Sequence, residues 1–337
     1  MNEKSIIITG ATGFIGTNLC LRLLAQNHQI FAIDNHNSSS KQNLQSIKNF
    51  ILQQNISVDK FHFLEKNIIE DFVDLSFFQK QKIDFIFNLA CPASPPRYQQ
   101  DPIYTFKTSV WGNENLINLA KKLQKNQNYY PTLIFTSTSE IYGDALIHPQ
   151  PEGYWGNVNP VGIRSCYDEG KRASETLLYG YHRTENLPIK ILRIFNTYGE
   201  FMDKNDGRVV SNFINQALRN QDITIYGDGS QTRSFCYIDD LLEIMCKFAL
   251  ANDNFFGPIN CGNPQEFCVK DLAKLVIELT NSKSQIKYLQ LPQDDPKQRC
   301  PDISLAYQKY LWAPKIDLKI GLKNTIKYFQ SLEKNLA

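Results

Sequence analysis

The sequence predicts an α/β fold, a doubly wound parallel sheet with a smaller C-terminal lobe. Three observations predict it. Short apolar runs alternate with amphipathic segments through the first half of the 337-residue chain. That alternation builds a parallel sheet covered by helices on both faces. A glycine-rich turn, Gly10-Ala-Thr-Gly13-Phe-Ile-Gly16, follows the first apolar run, where sheets of the Rossmann type place a phosphate-binding turn. Beyond Phe195 the pattern changes to short strands, helices and many loops.

Taken in order, Ser5–Thr9 reads as a buried strand and Phe14–Leu24 as a helix. Ile15, Leu19 and Leu23 stand four apart on one stripe of that helix. Ile30–Ile33 is a second strand and Phe85–Ala90 a later one, followed by a break at Pro92, Pro95 and Pro96. Ile103–Leu123 is a long helix, and Leu133–Ser137 and Ile189–Phe195 are further strands. In the second half Ile223–Tyr226 and Ile286–Leu289 read as strands, Ile238–Leu250 and Val269–Leu279 as helices. Ser38-Ser39-Ser40 reads as loop. The length suits one large α/β domain with a smaller lobe. The division falls at residues 1–195 and 196–337, and it is soft, since a late strand is free to return to the main sheet.

Composition narrows the function. The formal net charge is +2, with Lys and Arg scattered, so nothing calls for nucleic acid or an acidic membrane as partner. The apolar run Ile6-Ile7-Ile8 is too short for a signal core, and no stretch approaches the ~20 apolar residues that span a bilayer. The expectation is a soluble, cytoplasmic protein. None of the eight cysteines forms a Cys-x-x-Cys pair, and the five histidines lack ligand spacing, so no metal is expected. The thiols read as reduced.

The glycine turn carries the first functional reading. Gly10 allows the tight turn, Gly13 lets the backbone approach a pyrophosphate, and Gly16 lets the helix pack against the sheet. Asp34 ends the second strand, where an acid accepts hydrogen bonds from the adenosine ribose and repels a 2′-phosphate. With no Arg beside Asp34, the expected cofactor is NAD and not NADP. Glycines three apart are the spacing of extended short-chain dehydrogenases/reductases.

Tyr167-Asp-Glu-Gly-Lys171 places Tyr and Lys one helical turn apart. Alone this is common, and a snorkelling surface pair would explain it. Here it follows a strand ending in Thr136-Ser137-Thr138-Ser139-Glu140, hydroxyls that point into the ligand crevice of such sheets. A neighbouring ammonium and the positive nicotinamide ring favour the phenolate. Tyr167 then takes a proton from a sugar hydroxyl while hydride leaves for NAD, Lys171 holds the nicotinamide ribose, and Thr138 bonds the reacting oxygen.

Five motifs complete the reading: Leu89-Ala-Cys-Pro-Ala-Ser-Pro95, Ser137-Thr-Ser-Glu-Ile-Tyr-Gly143, His148-Pro-Gln-Pro-Glu152 with Tyr154-Trp155, Cys166-Tyr-Asp-Glu-Gly-Lys-Arg172, and Asp206-Gly-Arg208-Val-Val-Ser211-Asn212. Together they resemble the UDP-glucuronic acid decarboxylase (UDP-xylose synthase) family, from about Ser5 to about Phe329. The resemblance implies that Gly10, Gly13, Phe14, Ile15, Gly16, Asp34, Asn35, Asn67, Leu89, Thr108, Tyr167 and Lys171 hold NAD. It implies that Pro95, Arg97, Asn196, Arg208, Val209, Tyr226, Arg233 and Arg299 hold the UDP-sugar, with Arg299 near the glucuronate carboxylate. Guanidinium suits both diphosphate and carboxylate.

The implied reaction oxidises C4 of UDP-glucuronate, loses carbon dioxide from the 4-ketone and reduces it to UDP-xylose. Thr138 and Tyr167 stabilise the oxyanion, and Glu140, Ser139 or a held water protonates C5. The family is usually a homodimer, through helices matching roughly Ile103–Leu123 and Tyr167–Glu185. Two departures stand out: Asn67 replaces a family Asp, and Asp34-Asn-His-Asn-Ser-Ser39 replaces Asp-Asn-x-x-Thr-Gly. The rival readings are a 4-epimerase or 4,6-dehydratase on the same scaffold, and a non-catalytic NAD(H)-binding regulator. Ser139-Glu140 in place of Asp-Glu disfavours the dehydratase.

Overall fold

The computed structural model describes residues 3–70, 77–78, 81–290 and 298–334. The first half runs β1 (Ser5–Thr9), α1 (Phe14–Ala25), β2 (Gln29–Asp34), α2 (Lys41–Gln53), β3 (Phe61–Glu65), β4 (Phe85–Asn88), α3 (Pro95–Gln100), α4 (Pro102–Gln127), β5 (Thr132–Thr138), α5 (Ser165–Glu185) and β6 (Ile189–Ile194). The second runs β7 (Thr197–Tyr198), α6 (Val209–Leu218), β8 (Ile223–Tyr226), β9 (Thr232–Ser234), β10 (Cys236–Tyr237), α7 (Ile238–Ala249), β11 (Ile259–Cys261), β12 (Glu266–Cys268), α8 (Val269–Thr280), β13 (Ile286–Leu289), α9 (Ser304–Tyr310) and α10 (Leu318–Lys334).

Among the described residues, seven strands form the main sheet in the order β11-β6-β5-β4-β1-β2-β3, every pair parallel. The expected doubly wound fold is present. The chain's order reverses at β1 and β4, the switch point where such sheets bind ligands. Strand alternation sorts the core onto two faces. Ile6 and Ile8 pack with α1 residues Leu19 and Leu23. Ile7 packs on the other face with Leu116 and Ile117 of α4 and Leu178 of α5. Three two-stranded pairs, β10-β7, β12-β9 and β13-β8, belong to the later half.

One reading needed correction. Pro95 and Pro96 do not simply break the chain. They open α3 in its first turn, where the missing N–H costs nothing and the fixed φ suits a helix. Ser38-Ser39-Ser40 is loop, as read, and its last residue has a further role: Ser40 Oγ accepts from Gln42 N and caps α2. Among the described residues, no helix is long and apolar enough to cross a membrane.

Candidate active site

The carboxyl ends of β1, β4, β5 and β6 open on a cavity of about 1070 Å³. A smaller one of about 70 Å³ adjoins it through Gly10, Gly13, Leu89 and Cys91.

The glycine turn shapes their shared wall. Gly10 sits at φ +65°, and a Cβ there would come 2.8 Å from the Leu89 carbonyl carbon. A Cβ on Gly16 would fall on the Gly10 carbonyl oxygen. Only glycine fits either place. Gly13 begins α1 in extended backbone and no side chain caps the helix, so its first N–H groups can meet an anion. Phe14 and Ile15 line the large cavity beside them.

Asp34, at the end of β2, accepts from Thr12 N at 3.0 Å through Oδ2, and from His36 N at 2.8 Å and Ser39 Oγ at 2.7 Å through Oδ1. A carboxylate has about four acceptor positions, so one remains for a ligand hydroxyl. Asn35, Asn67, Leu89 and Thr108 line the small cavity with it. Asn35 Nδ2 donates to Tyr104 Oη at 2.7 Å, Asn67 Oδ1 accepts from Ile69 N at 3.2 Å, and Thr108 Oγ1 donates to the Tyr104 carbonyl at 2.8 Å. A cradle that any Cβ would fill, an uncapped helix start and an acid at the strand end together fit a dinucleotide.

The corner expected to react is built from β5 and α5. β5 ends at Thr138, whose Oγ1 accepts from Glu140 N at 3.2 Å and fixes the Ser139–Tyr142 turn. From α5, Tyr167 and Lys171 reach the same wall. Lys171 Nζ donates to the Thr136 carbonyl at 2.7 Å and lies 5.8 Å from the Tyr167 ring centre. Burial pushes the Tyr167 phenol above its ordinary value, with Cys91, Glu140 and Asp168 adding and the Thr138 hydrogen bond opposing. Burial lowers the Lys171 ammonium.

Arg299 and Glu140, expected to act separately on the sugar, meet each other. Arg299 Nη1 and Nη2 lie 2.5 and 2.8 Å from Glu140 Oε1 and Oε2. Arg164, which sequence reasoning missed, adds Nη2 at 2.6 Å from Oε2. Burial alone would raise the Glu140 carboxyl, but the two arginines hold it below its ordinary value. Tyr98 was missed too: its ring stacks on Tyr167 at 5.2 Å and 8°, with the Arg164 guanidinium 6.0 Å from its centre. The available signal was position, since Arg164 stands three residues before Tyr167 and Tyr98 three after Pro95.

The expected sugar-nucleotide residues Pro95, Arg97, Asn196, Arg208, Val209, Tyr226 and Arg233 all line the large cavity. Arg97 pairs with Asp203 at 2.9 Å and Arg208 Nε with Asp206 at 2.7 Å. Arg233 is buried and donates to the Thr232 carbonyl at 2.8 Å. Residues 291–297, just upstream of Arg299, lie outside the described residues. His148, Glu266 and Cys300 bring potential metal-ligand atoms within 4.8 Å of one another, and none of the three lines the cavity.

Residues 6–262 match the NAD dependent epimerase/dehydratase family. UDP-glucuronic acid decarboxylase 3 of Arabidopsis thaliana is 46% identical over 94% of this chain and 86% of its own. UDP-glucuronic acid decarboxylase 1 of Danio rerio is 42% identical over 97% and 73%. Among solved structures, UDP-glucuronic acid 4-epimerase from Bacillus cereus, in complex with UDP-glucuronic acid and NAD, superposes with a TM-score of 0.83. It is 26% identical, over 97% of this chain and 99% of that one. With its glycine cradle, its Tyr167–Lys171 pair and these relatives, the chain belongs to the NAD dependent epimerase/dehydratase family and, within it, to the UDP-glucuronic acid decarboxylases.

Proposed function

We propose that the chain is an NAD-dependent enzyme that decarboxylates UDP-glucuronate to UDP-xylose through a 4-keto intermediate. The observation that carries this reading is the corner where Thr138, Tyr167, Glu140 and Arg299 line one cavity. When bound, NAD would supply reversible hydride acceptance at C4. Gly10, Gly13, Phe14, Ile15 and Gly16 would hold its pyrophosphate, Asp34 and Asn35 the adenosine ribose, Asn67, Leu89 and Thr108 the adenine side, and Tyr167 and Lys171 the nicotinamide ribose.

This chain's residues manage the protons and the charge. Tyr167 removes the C4 hydroxyl proton, with Thr138 bonding the same oxygen. The C5–C6 bond then breaks, carbon dioxide leaves, and its electron pair spreads onto the C4 oxygen, which Tyr167 and Thr138 stabilise. Glu140 stays a carboxylate between its arginines, so it serves as an acceptor. It orients the solvent molecule that gives C5 its proton, with Ser139 beside it. Arg299 receives the glucuronate carboxylate. Arg97, Asn196, Arg208, Val209, Tyr226, Arg233 and Pro95 seat the nucleotide.

Residues 1–195 would form the NAD-binding part and 196–337 mainly the nucleotide-sugar part. A homodimer through α4 and α5 accounts for Ile103 and Trp111, apolar side chains exposed on α4. Eight free cysteines fit a reducing, cytoplasmic setting.

NMR of the purified protein with UDP-glucuronate and NAD tests the activity, with UDP-xylose the expected product. A UDP-4-keto pentose with accumulating NADH would mean the return step is missing. Tyr167→Phe should lower turnover by about 10²–10⁴-fold and leave UDP affinity in place. A variant that turns over normally would remove Tyr167 from the chemistry.

A further inference from the structure

The proposed reaction asks two things of one arginine. Arg299 grips both oxygens of Glu140, yet the substrate brings a second carboxylate for the same guanidinium. When Arg299 turns to that carboxylate, Glu140 loses its bidentate partner inside the protein. A buried carboxylate without a cation takes up a proton, and a protonated Glu140 is no longer the acceptor that orients solvent at C5.

Arg164 is placed to prevent this. It stands immediately before α5, and its carbonyl accepts from Tyr167 N at 3.0 Å and Asp168 N at 3.1 Å. Its backbone is therefore fixed to the helix turn that carries the catalytic tyrosine. Its guanidinium touches Glu140 Oε2 at 2.6 Å and faces the Tyr98 ring, which stacks on Tyr167. Glu140, Arg164, Tyr98 and Tyr167 form one connected set. Arg299 comes to Glu140 from a distant part of the chain, where its carbonyl accepts from Ser234 Oγ at 3.3 Å. The two arginines thus reach one carboxylate from separate supports, and only one support moves with Tyr167.

We propose that Arg164 is a positioning residue for the protonation of C5: it holds Glu140 ionised and registered to Tyr167 while Arg299 engages the carboxylate of the sugar. This rests on the decarboxylase reading and adds a division of labour between the two arginines. The C5–C6 electron pair passes to the C4–C5–O enolate, carbon dioxide departs, and C5 takes a proton from solvent to regenerate the 4-ketone. Loss of Arg164 slows that protonation, so the reaction stalls after C4 has been oxidised and before the electrons return.

The test follows the redox state of the cofactor in purified enzyme supplied with UDP-glucuronate, by NADH absorbance and fluorescence, alongside product NMR and UDP affinity. Arg164→Gln is expected to lower kcat by about 10- to 100-fold while the bound cofactor accumulates as NADH. UDP affinity should stay within about 2-fold, since the nucleotide-seating residues are untouched. Arg164→Lys, which keeps the cation, should restore most of the turnover and oxidised cofactor. A purely structural role would slow the first oxidation as well and leave the cofactor oxidised, and that result overturns the proposal. So does an Arg164→Gln enzyme with normal kcat. If Arg164→Gln does not fold, Glu140→Gln carries the same test: it must also accumulate NADH, and an oxidised cofactor there overturns the proposal. A wild-type enzyme that leaves UDP-glucuronate unchanged would instead refute the decarboxylase reading itself.

Discussion

Two buried arginine–carboxylate clusters lie on neighbouring parts of the same sheet, and they differ in what surrounds them. Glu175 of α5 and Arg193 of β6 form a closed unit. Glu175 accepts from Ser137 Oγ and from Arg193 Nε and Nη2 at 2.5, 3.1 and 2.7 Å. Arg193 Nη1 donates to Tyr142 Oη and the Glu152 carbonyl. None of Glu175, Arg193 and Tyr142 lines the large cavity. Glu140 is also gripped by guanidinium, but by two, and all three residues line the cavity wall. The same chemistry thus fastens helix to sheet in one place and waits on a ligand in the other. Burial and pairing do not separate the two roles; access to the cavity does.

The largest effect expected is on the closed cluster. Glu175→Gln should cost about 3–5 kcal/mol of stability by leaving Arg193 buried without its anion, read in urea unfolding. Glu140→Gln should cost less, because the two arginines it leaves line an open cavity and not a helix–sheet seam, yet turnover should fall about 100-fold or more. Equal losses of stability in the two variants would mean that cavity access does not separate the clusters.

A subtler test is pH. Burial, with Glu140 adding, pushes the Asp168 carboxyl beside the open cluster up to about 8, against about 3.9 in the unfolded chain. The folded state therefore holds a proton that the unfolded state gives up. The stabilisation from Asp168 is complete below pH ~4 and is lost as pH rises through about 8. Asp168→Asn should flatten the decline in stability between pH 5 and 8; an unchanged slope would mean that the carboxyl titrates normally. The smallest effect concerns the far end of the site. Asp34→Asn should weaken NAD by about 10-fold and narrow the discrimination against NADP, measured by calorimetry with both cofactors.

Much of this was legible because it is local. The glycine turn, the strand-end acid and the Tyr167–Lys171 spacing are short-range patterns that one helix or one turn enforces. Every residue expected at the site lines one of the two adjoining cavities. The pairing of Arg299 with Glu140 was not legible, since it joins residues 159 positions apart and depends on how two separate segments meet. Nor was α2 read, although Leu44, Ile47 and Ile51 stand at helical spacing, because polar side chains fill most of its other positions. The strand β3 was missed because its side chains are only partly buried, which blurs alternation. Arg164 sat beside a recognised motif, but nothing periodic marks a residue whose value lies in a contact across the cavity.

The path of the main sheet has a consequence for engineering. After β6 the chain leaves, returns as β11 to pair with Leu192, Arg193 and Ile194, and leaves again before Arg299. The sugar-facing part is therefore not a cassette joined at one seam. A chimaera spliced after residue 195 would take β11 from one parent and β6 from the other, so their shared edge would have to match at Ile259–Cys261. Grafting a new sugar preference onto this scaffold calls for several compatible junctions, which makes loop replacement within the cavity a sounder route than recombination of halves.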